Sequence, residues 1–238
     1  MKRYLLLTVI FFAFSFSEAD AQVSDAFFQD GTAFFQSNVI DGKVDYNGIY
    51  KNPETLNNLL KQAETSKVPL SNTKEYQAFW INAYNLAVIK GIIDNYPIAS
   101  PLDKKGFFDA TTYNLGGKSI TLNDIENKML RANFEDARFH FVLVCGAKGC
   151  PPLISEAYTP NNIEKLLEQQ TIKAINNSSF IRVSDGGVSI SEIFKWYKED
   201  FTQNGSSEVD FLNRYMKKKL SENAEVTYYS YDWRLNSK

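Results

Sequence analysis

Apolar residues recur at helical spacing over most of the chain and at strand spacing only in short stretches. This spacing predicts helices over 25–39 and 53–64, and a long helix over 73–95 that is apolar nearly all round. Short strands are predicted on both sides of Gly116-Gly117 and around Asp185-Gly186-Gly187, where such residues favour tight hairpin turns. Because helices precede and follow a few strands without regular alternation, the pattern predicts an α+β fold, mostly helical with a small antiparallel sheet.

The later part of the chain carries further signals of the same kinds. Thr121 and Asp124 have the spacing of an N-cap and its N3 partner, which predicts a helix that begins at Leu122. The β-branched and aromatic residues over 138–145 predict a strand. Further helices are predicted over 161–175, 191–201 and 208–220, and a last strand over 225–231.

The N-terminus has the parts of a secretory signal peptide. Lys2-Arg3 precede an apolar run over 4–16, and Ala19-Asp20-Ala21 supplies small residues before a cleavage site at Gln22. We therefore expect residues 1–21 to be removed, and residues 22–238 to form a single globular domain that is periplasmic or secreted. The apolar run is too short to span a bilayer and no later segment reaches that length, so no integral membrane segment is expected after cleavage.

Charge and composition narrow the range of partners. The 26 lysines and arginines and the 28 aspartates and glutamates give a net charge of −2. No basic stripe interrupts this balance, so nucleic acid is not expected as a partner. The 18 phenylalanines and 13 tyrosines suit a packed core with an aromatic-lined groove. The expected ligand is a small molecule or a peptide, and nothing in the sequence indicates a cofactor.

Both cysteines and the only histidine lie in the segment from His140 to Cys150. If 138–145 is a regular strand, His140 and Cys145 lie on opposite faces and about 16 Å apart, so they cannot pair directly. Cys150 precedes Pro151 at the position of a helix N-cap, where unpaired amides and the helix dipole lower the pKa of a thiol. Cys150 is therefore the candidate nucleophile and His140 the candidate base.

Other interpretations of the two cysteines remain open. In an oxidising compartment, a Cys145–Cys150 disulfide would close a small loop and act as a structural staple. By reducing the chain entropy of the unfolded state, it would stabilise the fold by about 2 kcal/mol. A disulfide that closes so tight a loop is strained, and strained disulfides are easily reduced, so the pair could also be a redox-active dithiol. Cys-x4-Cys is, however, not the usual spacing of thiol oxidoreductases. A zinc site would need Cys145, Cys150, His140 and an acidic ligand, and because that spacing matches no standard site, no metal is predicted.

Two side-chain amides share one face of the long predicted helix. Asn82 and Asn85 lie one helical turn apart in an otherwise apolar surround. A buried amide without a hydrogen-bond partner costs ~1–3 kcal/mol, so both need partners. Either they hold the backbone of a neighbouring loop, or one of them orients a catalytic imidazole or donates to an oxyanion.

Glu126 falls inside the apolar stripe of the helix predicted from Leu122, beside Ile125 and Met129. A core-facing carboxylate usually has a partner, and Arg138 is the candidate for a partly buried ion pair. The alternative is that Glu126 acts in a cleft, as a general base or as the group that orients an imidazole.

Several motifs follow one another in a specific order. They are Phe79 to Asn85, Leu122 to Arg131, Arg138 to Ala147, Cys150-Pro-Pro-Leu153, Ile193 to Tyr197 with Asp200-Phe201, and Asp232 to Asn236. Together they resemble the domain-of-unknown-function 547 family over about 44–236. The resemblance implies no settled activity. The family pattern has a histidine after Ile125-Glu126, where this chain has Asn127, so His140 is left as the only imidazole.

The sequence supports hypotheses of three classes. The first is a thiol-dependent acyl-transfer or hydrolytic enzyme on a peptide or amide, similar in chemistry to papain or transglutaminase. In it Cys150 is the nucleophile, His140 the base, and Asn82 or Glu126 the orienting residue. The second is an exported binding module stapled by its disulfide, and the third is a redox-active dithiol. The candidate ligand contacts are Trp80, Asn85, Arg138 and Cys145.

Overall fold

The structure of this chain, a computed structural model, describes residues 23–238. The predicted signal peptide over 1–21 lies outside these residues. Within them the fold is α+β and mostly helical, which confirms the predicted fold class. No helix between residues 23 and 238 is long and apolar enough to cross a membrane.

The first half of the chain is a set of helices around one buried helix. The elements are α1 (Asp25–Asn38), α2 (Tyr46–Lys51), α3 (Glu54–Thr65) and α4 (Thr73–Asp94). The helix α4 is buried on every side over most of its length, as its uniformly apolar sequence predicts. The short α2 was not predicted, and its N-cap is Asp45, whose side chain accepts a hydrogen bond from the backbone N–H of Gly48.

The second half contains further helices, most of which are short. They are α5 (Leu122–Asp124), α6 (Ile163–Ile175), α7 (Glu192–Trp196), α8 (Lys198–Phe201) and α9 (Glu208–Tyr215). The helix α5 continues as a π-helix over Ile125–Arg131, in which the N–H of Ala132 donates to the carbonyl of Asn127. Wide turns of this kind are rare in proteins and recur at functional sites.

The strands form small separate sheets in the described part of the chain. The pairs β1 (Val39–Ile40) with β2 (Lys43–Val44) and β3 (Thr112–Leu115) with β4 (Lys118–Thr121) are antiparallel hairpins. The strands β5 (Ile181–Ser184) and β6 (Gly187–Ser191) form a third hairpin, and β7 (Glu225–Tyr229) pairs with β6 in parallel. The glycine turns therefore mark the two predicted hairpins correctly, whereas the last sheet is mixed.

Buried apolar residues form two clusters. The first surrounds α4 and includes residues of α1, α3 and the β3–β4 hairpin. The second lies between the last sheet and the helices α7 to α9. Cys150 packs against both clusters, so the cysteine segment lies where they meet.

The strand predicted over 138–145 is wrong. Ala137–Phe141 is a 3-10 helix, which begins where the Asp136 side chain accepts a hydrogen bond from the N–H of Arg138. Phe139 belongs to the first cluster and Phe141 to the second. The aromatic content of this segment therefore reflects burial between two cores and not pairing within a sheet, and the distance that a strand implied between His140 and Cys145 does not apply.

Candidate active site

A cavity of about 480 Å³ opens where the two apolar clusters meet. This volume falls in the range that small-molecule sites occupy in proteins. The aromatic and acid–base residues of its wall are Tyr84, Phe107, Phe108, Glu126, His140, Trp196, Tyr197, Tyr231 and Trp233. Cys145 and Cys150 complete the wall on one side, and Lys104, Lys105 and Asp109 line it on the loop between α4 and β3. The only imidazole of the chain and both cysteine sulfurs are thus brought to one cavity.

The imidazole of His140 is held by Asp200. The Nε2 atom of His140 lies 2.7 Å from Oδ2 of Asp200, and the His140 side chain is almost completely buried. Burial favours the neutral acid, but hydrogen bonds from His140 and Arg131 outweigh it and hold the pKa of the Asp200 carboxyl well below its usual range. An ionised carboxylate can only accept, so Nε2 carries the proton and Nδ1 is the free nitrogen.

Arg131 and Tyr197 support this pair from two sides. Arg131 binds Asp200 with two nitrogens, Nε to Oδ2 at 2.6 Å and Nη2 to Oδ1 at 2.9 Å. The ring of Tyr197 stacks on the His140 imidazole with 4.1 Å between centroids, and the Arg131 guanidinium lies 4.9 Å from the centroid of the same ring. The position of the imidazole is therefore fixed by a bidentate ion pair behind it and by an aromatic face beside it.

Glu126 faces the other nitrogen of the imidazole. Its Oε1 lies 3.7 Å from Nδ1 of His140, and the residue is buried, as the sequence pattern predicts. Burial raises the pKa of Tyr84, Tyr197 and Tyr231, and the Glu126 carboxylate adds to each increase. These phenols consequently remain neutral donors around a carboxylate and an imidazole.

The ion pair predicted between Glu126 and Arg138 is wrong. Arg138 binds Asp136, with Nη2 to Oδ2 at 2.6 Å, and Glu164, with Nη2 to Oε2 at 3.0 Å. Those hydrogen bonds, the Asp136 bond first, raise the pKa of the guanidinium above its usual value. Arg138 does not line the cavity.

The two cysteines form a disulfide whose sulfurs contact a buried phenol. The Oη atom of Tyr231 lies 2.8 Å from Sγ of Cys145 and 2.8 Å from Sγ of Cys150. The backbone N–H of Cys145 also donates to Sγ of Cys150, with 3.0 Å between the two atoms. Because disulfide sulfurs carry no hydrogen, the Tyr231 hydroxyl is the donor. Cys150 therefore has two donors within reach and Cys145 has one.

No helix follows Cys150, since residues 151–154 are irregular, so the predicted N-cap is wrong. The loop between the cysteines is held instead by the C-terminal segment. Lys148 N–H donates to the carbonyl of Arg234 at 2.7 Å, and Gly149 N–H to that of Asp232 at 2.9 Å. A Cβ on Gly149 would lie 2.7 Å from the Tyr231 ring, so glycine is required for that ring to reach the sulfurs.

The two asparagines of α4 act as backbone ties. Asn85 Nδ2 donates to the carbonyl of Val142 at 3.0 Å, and its Oδ1 accepts from Val144 N–H at 2.9 Å. Asn82 forms the equivalent pair with the backbone of Tyr158, at 2.7 and 3.0 Å. Asn85 thereby positions the segment that leads into Cys145, while Asn82 holds a loop. Neither lines the cavity, nor does the buried Trp80.

The structure adds Asp200, Arg131, Tyr197 and Tyr231 to the predicted residues. All except Tyr231 lie within the sequence motifs that carry the family resemblance, but no spacing rule joins Asp200 to His140 across such a long stretch of chain. Within residues 23–238, no group of three or more His, Cys, Asp or Glu side chains is arranged to hold a metal ion.

Comparison with known proteins gives one family match, over the middle of the chain. No curated protein and no solved structure matches the chain. Residues 69–174, which include α4, Glu126, His140 and both cysteines, match the family described as "Protein of unknown function, DUF547". This match places residues 69–174 of the chain in the DUF547 family.

Proposed function

We propose that the cavity is the active site of a thiol-dependent enzyme that transfers or hydrolyses an acyl group of a peptide or amide substrate. Cys150 is the nucleophile, His140 the base, and Asp200 the residue that orients the base. The observation that carries the proposal is that His140, whose Nε2 is held by Asp200, lines the same cavity as Cys145 and Cys150. A nucleophile, a base and an orienting carboxylate are the groups that such chemistry needs.

The surroundings of Cys150 favour it over Cys145 as the nucleophile. In the disulfide form, the Cys145 N–H and the Tyr231 O–H both contact the Cys150 sulfur, and we expect both donors to stay within reach of it when the disulfide is open. Hydrogen bonds to a thiolate stabilise the charged form and so lower the pKa of the thiol. These two donors replace the helix dipole that the sequence suggested.

The disulfide must open before the first step. An external dithiol supplies two electrons and becomes a disulfide itself, which leaves Cys145 and Cys150 as thiols. Nδ1 of His140 then takes the Cys150 proton, and the thiolate attacks the acyl carbon to form a thioester as the leaving amine takes the proton back from Nδ1. Water hydrolyses the thioester, or a second amine accepts the acyl group. Glu126 stabilises the imidazolium that exists between these steps.

A second candidate is a binding module without catalysis, and the Cys145–Cys150 disulfide favours it. In that case the disulfide is a permanent staple and the aromatic wall holds the ligand. We also propose that the protein is exported, because the N-terminal pattern is that of a signal peptide and disulfides persist in oxidising compartments. Export is compatible with both candidates.

The decisive experiment uses Cys145→Ser, which leaves Cys150 free without a reductant. Its matched control is Cys150→Ser, which leaves Cys145 free in the same loop. With p-nitrophenyl acetate as the acyl donor, we expect Cys145→Ser to release p-nitrophenol and to gain one acetyl group by intact mass. The control should react about 100-fold more slowly, and adding His140→Ala to Cys145→Ser should bring the rate down to that level.

Equal rates for the two single variants, unchanged by His140→Ala, would exclude the thiol enzyme and leave the binding module as the function. Circular dichroism of each variant separates loss of reactivity from loss of fold. Glu126→Gln should reduce the rate less than His140→Ala, because Glu126 stabilises the imidazolium but does not receive the proton.

A further inference from the structure

A second cavity, of about 310 Å³, is also lined by Cys150. Cys150 lines both cavities, but the second contains none of the acid–base residues of the first. Its wall includes Lys148, Asn177, Ser179, Arg182, Tyr229 and Asp232. A substrate whose reacting carbon lies at Cys150 therefore has space on two sides, one aromatic and one lined by cations.

Arg182 is held in place with part of its guanidinium free. The guanidinium carbon lies 3.7 Å from the centroid of the Tyr229 ring, and Nε donates to the carbonyl of Ser179 at 3.3 Å. Neither Nη atom of Arg182 has a hydrogen-bond or ion-pair partner among residues 23–238, and the same is true of Nζ of Lys148. Two cations thus face the cavity with donors to spare.

The carboxylate in this cavity is already paired. Nε of Arg234 lies 2.9 Å from Oδ1 of Asp232, and Nη2 of Arg234 binds the other oxygen. The hydrogen bonds from Arg234, with a smaller effect of the nearby Lys148, lower the pKa of the Asp232 carboxyl to about 2. Asn177 adds a free amide N–H group, since its described hydrogen bond uses Oδ1 only. The cavity consequently has uncompensated positive charge and unused donors.

We propose that this second cavity, which shares Cys150 with the aromatic cavity, binds an anionic group of the substrate, a carboxylate. The carboxylate would lie between Lys148 and Arg182, which offer point-charge and planar donors respectively. The position of the carboxylate relative to the reacting carbon rests on the proposed function, whereas anion binding at these residues does not.

The test compares two alkylating reagents of similar size on Cys145→Ser, in which Cys150 is the only thiol. Iodoacetate carries a carboxylate and iodoacetamide does not, so the ratio of their rates measures the attraction of charge to the sulfur. We expect Lys148→Gln with Arg182→Gln to lower the iodoacetate-to-iodoacetamide ratio about threefold at low salt. The difference should vanish at about 1 M salt, where exposed charges are screened.

The matched control is Lys217→Gln with Lys218→Gln, which removes two exposed lysines that line neither cavity. It should leave the ratio unchanged. An unchanged ratio in the Lys148 and Arg182 variant, or a decrease in the control instead, would overturn the proposal. A decreased iodoacetate-to-iodoacetamide ratio, together with a rate of ester cleavage that does not depend on His140, would support the anion site and reject the enzyme. Failure of the anion site and failure of the proposed function are therefore distinguishable.

Discussion

Nε2 of His140 lies 2.7 Å from Oδ2 of Asp200, and each residue fixes the state of the other. The ionised carboxylate keeps the imidazole proton on Nε2, and the imidazole with Arg131 keeps the carboxylate ionised. The free Nδ1 that the proposed chemistry uses is thus a consequence of a contact outside the reacting atoms.

The low pKa of Asp200 makes the protein sensitive to acid. As the pH falls below the ordinary carboxyl pKa of about 4, the unfolded chain binds this proton before the folded protein does, so the free energy of unfolding decreases. Asp200→Asn removes this component, and it should also cost on the order of 1–3 kcal/mol at neutral pH because His140 and Arg131 lose their partner. Urea denaturation at pH 7 and pH 3 measures both effects.

The control for this acid sensitivity is Asp185→Asn in the exposed β5–β6 turn. It should change the free energy of unfolding by no more than about 0.5 kcal/mol at either pH. An Asp200→Asn protein whose stability falls with pH as steeply as that of the natural chain would contradict the assignment.

Gly149→Ala should displace Tyr231 from the sulfurs. The added methyl group would lie 2.7 Å from the ring, and a buried aromatic ring moves only with its neighbours. We expect a loss of about 1–3 kcal/mol in the free energy of unfolding and slower alkylation of Cys150 in the Cys145→Ser background. Gly31→Ala in α1 is the matched control, since its Cβ would meet Ala157 at an ordinary 3.4 Å. A harmless Gly149→Ala would show that Tyr231 has room to shift.

Asn82→Ala and Asn85→Ala should be equally destabilising but should differ at the site. Each leaves a buried carbonyl and a buried N–H without partners, which costs about 1–3 kcal/mol per unsatisfied group. Only Asn85 holds the segment before Cys145, so only Asn85→Ala should alter the alkylation rate of Cys150. Urea denaturation and thiol alkylation of the folded variants test this, and a change of rate in Asn82→Ala alone would reverse the roles of the two asparagines.

The two apolar clusters should unfold together. Cys150 packs against both, and Phe139 and Phe141 enter different clusters from one turn of helix, so neither cluster is complete without the other. A single calorimetric transition is expected for residues 22–238, as the absence of a linker in the sequence predicts. Two well-separated transitions would show that the chain contains two domains.

Export predicts a mature N-terminus at Gln22. The small residues Ala19 and Ala21 end the signal pattern at that bond. The intact mass of protein recovered from the periplasm or the medium measures the cleavage position. A recovered protein that still contains the apolar run over 4–16 would contradict the signal peptide.

Much of the fold is predictable because it depends on short-range patterns. Periodicity places α1, α3 and α4 within one residue or so of their observed bounds, and glycine turns place the hairpins β3–β4 and β5–β6. The strand predicted over 138–145 is wrong because a short apolar run has the same composition in a strand and in a 3-10 helix buried between two cores. The π-helix after α5 cannot be recognised from the sequence, although the inward position of Glu126 can.

The site was only partly predictable because its contacts are long-range. His140, Cys150 and Glu126 stand out by residue type and by position on an apolar face. Asp200 and Tyr231 do not, since an acidic residue and a tyrosine near the C-terminus resemble many others in the chain. Only the folded chain brings Asp200 to the imidazole and Tyr231 to the sulfurs.

The hydrogen bonds of residues 231–236 also set the order in which the site can form. This segment contacts the cysteine loop, and Asn236 reaches Tyr46, whose hydroxyl donates to its Oδ1 at 2.7 Å. Among the residues that build the cavity, these are the last to be synthesised. A nascent chain that lacks residues 231–236 already has the imidazole and the cysteine sulfurs but not the complete cavity. Any reactivity of the cavity therefore begins only after this segment has been translated.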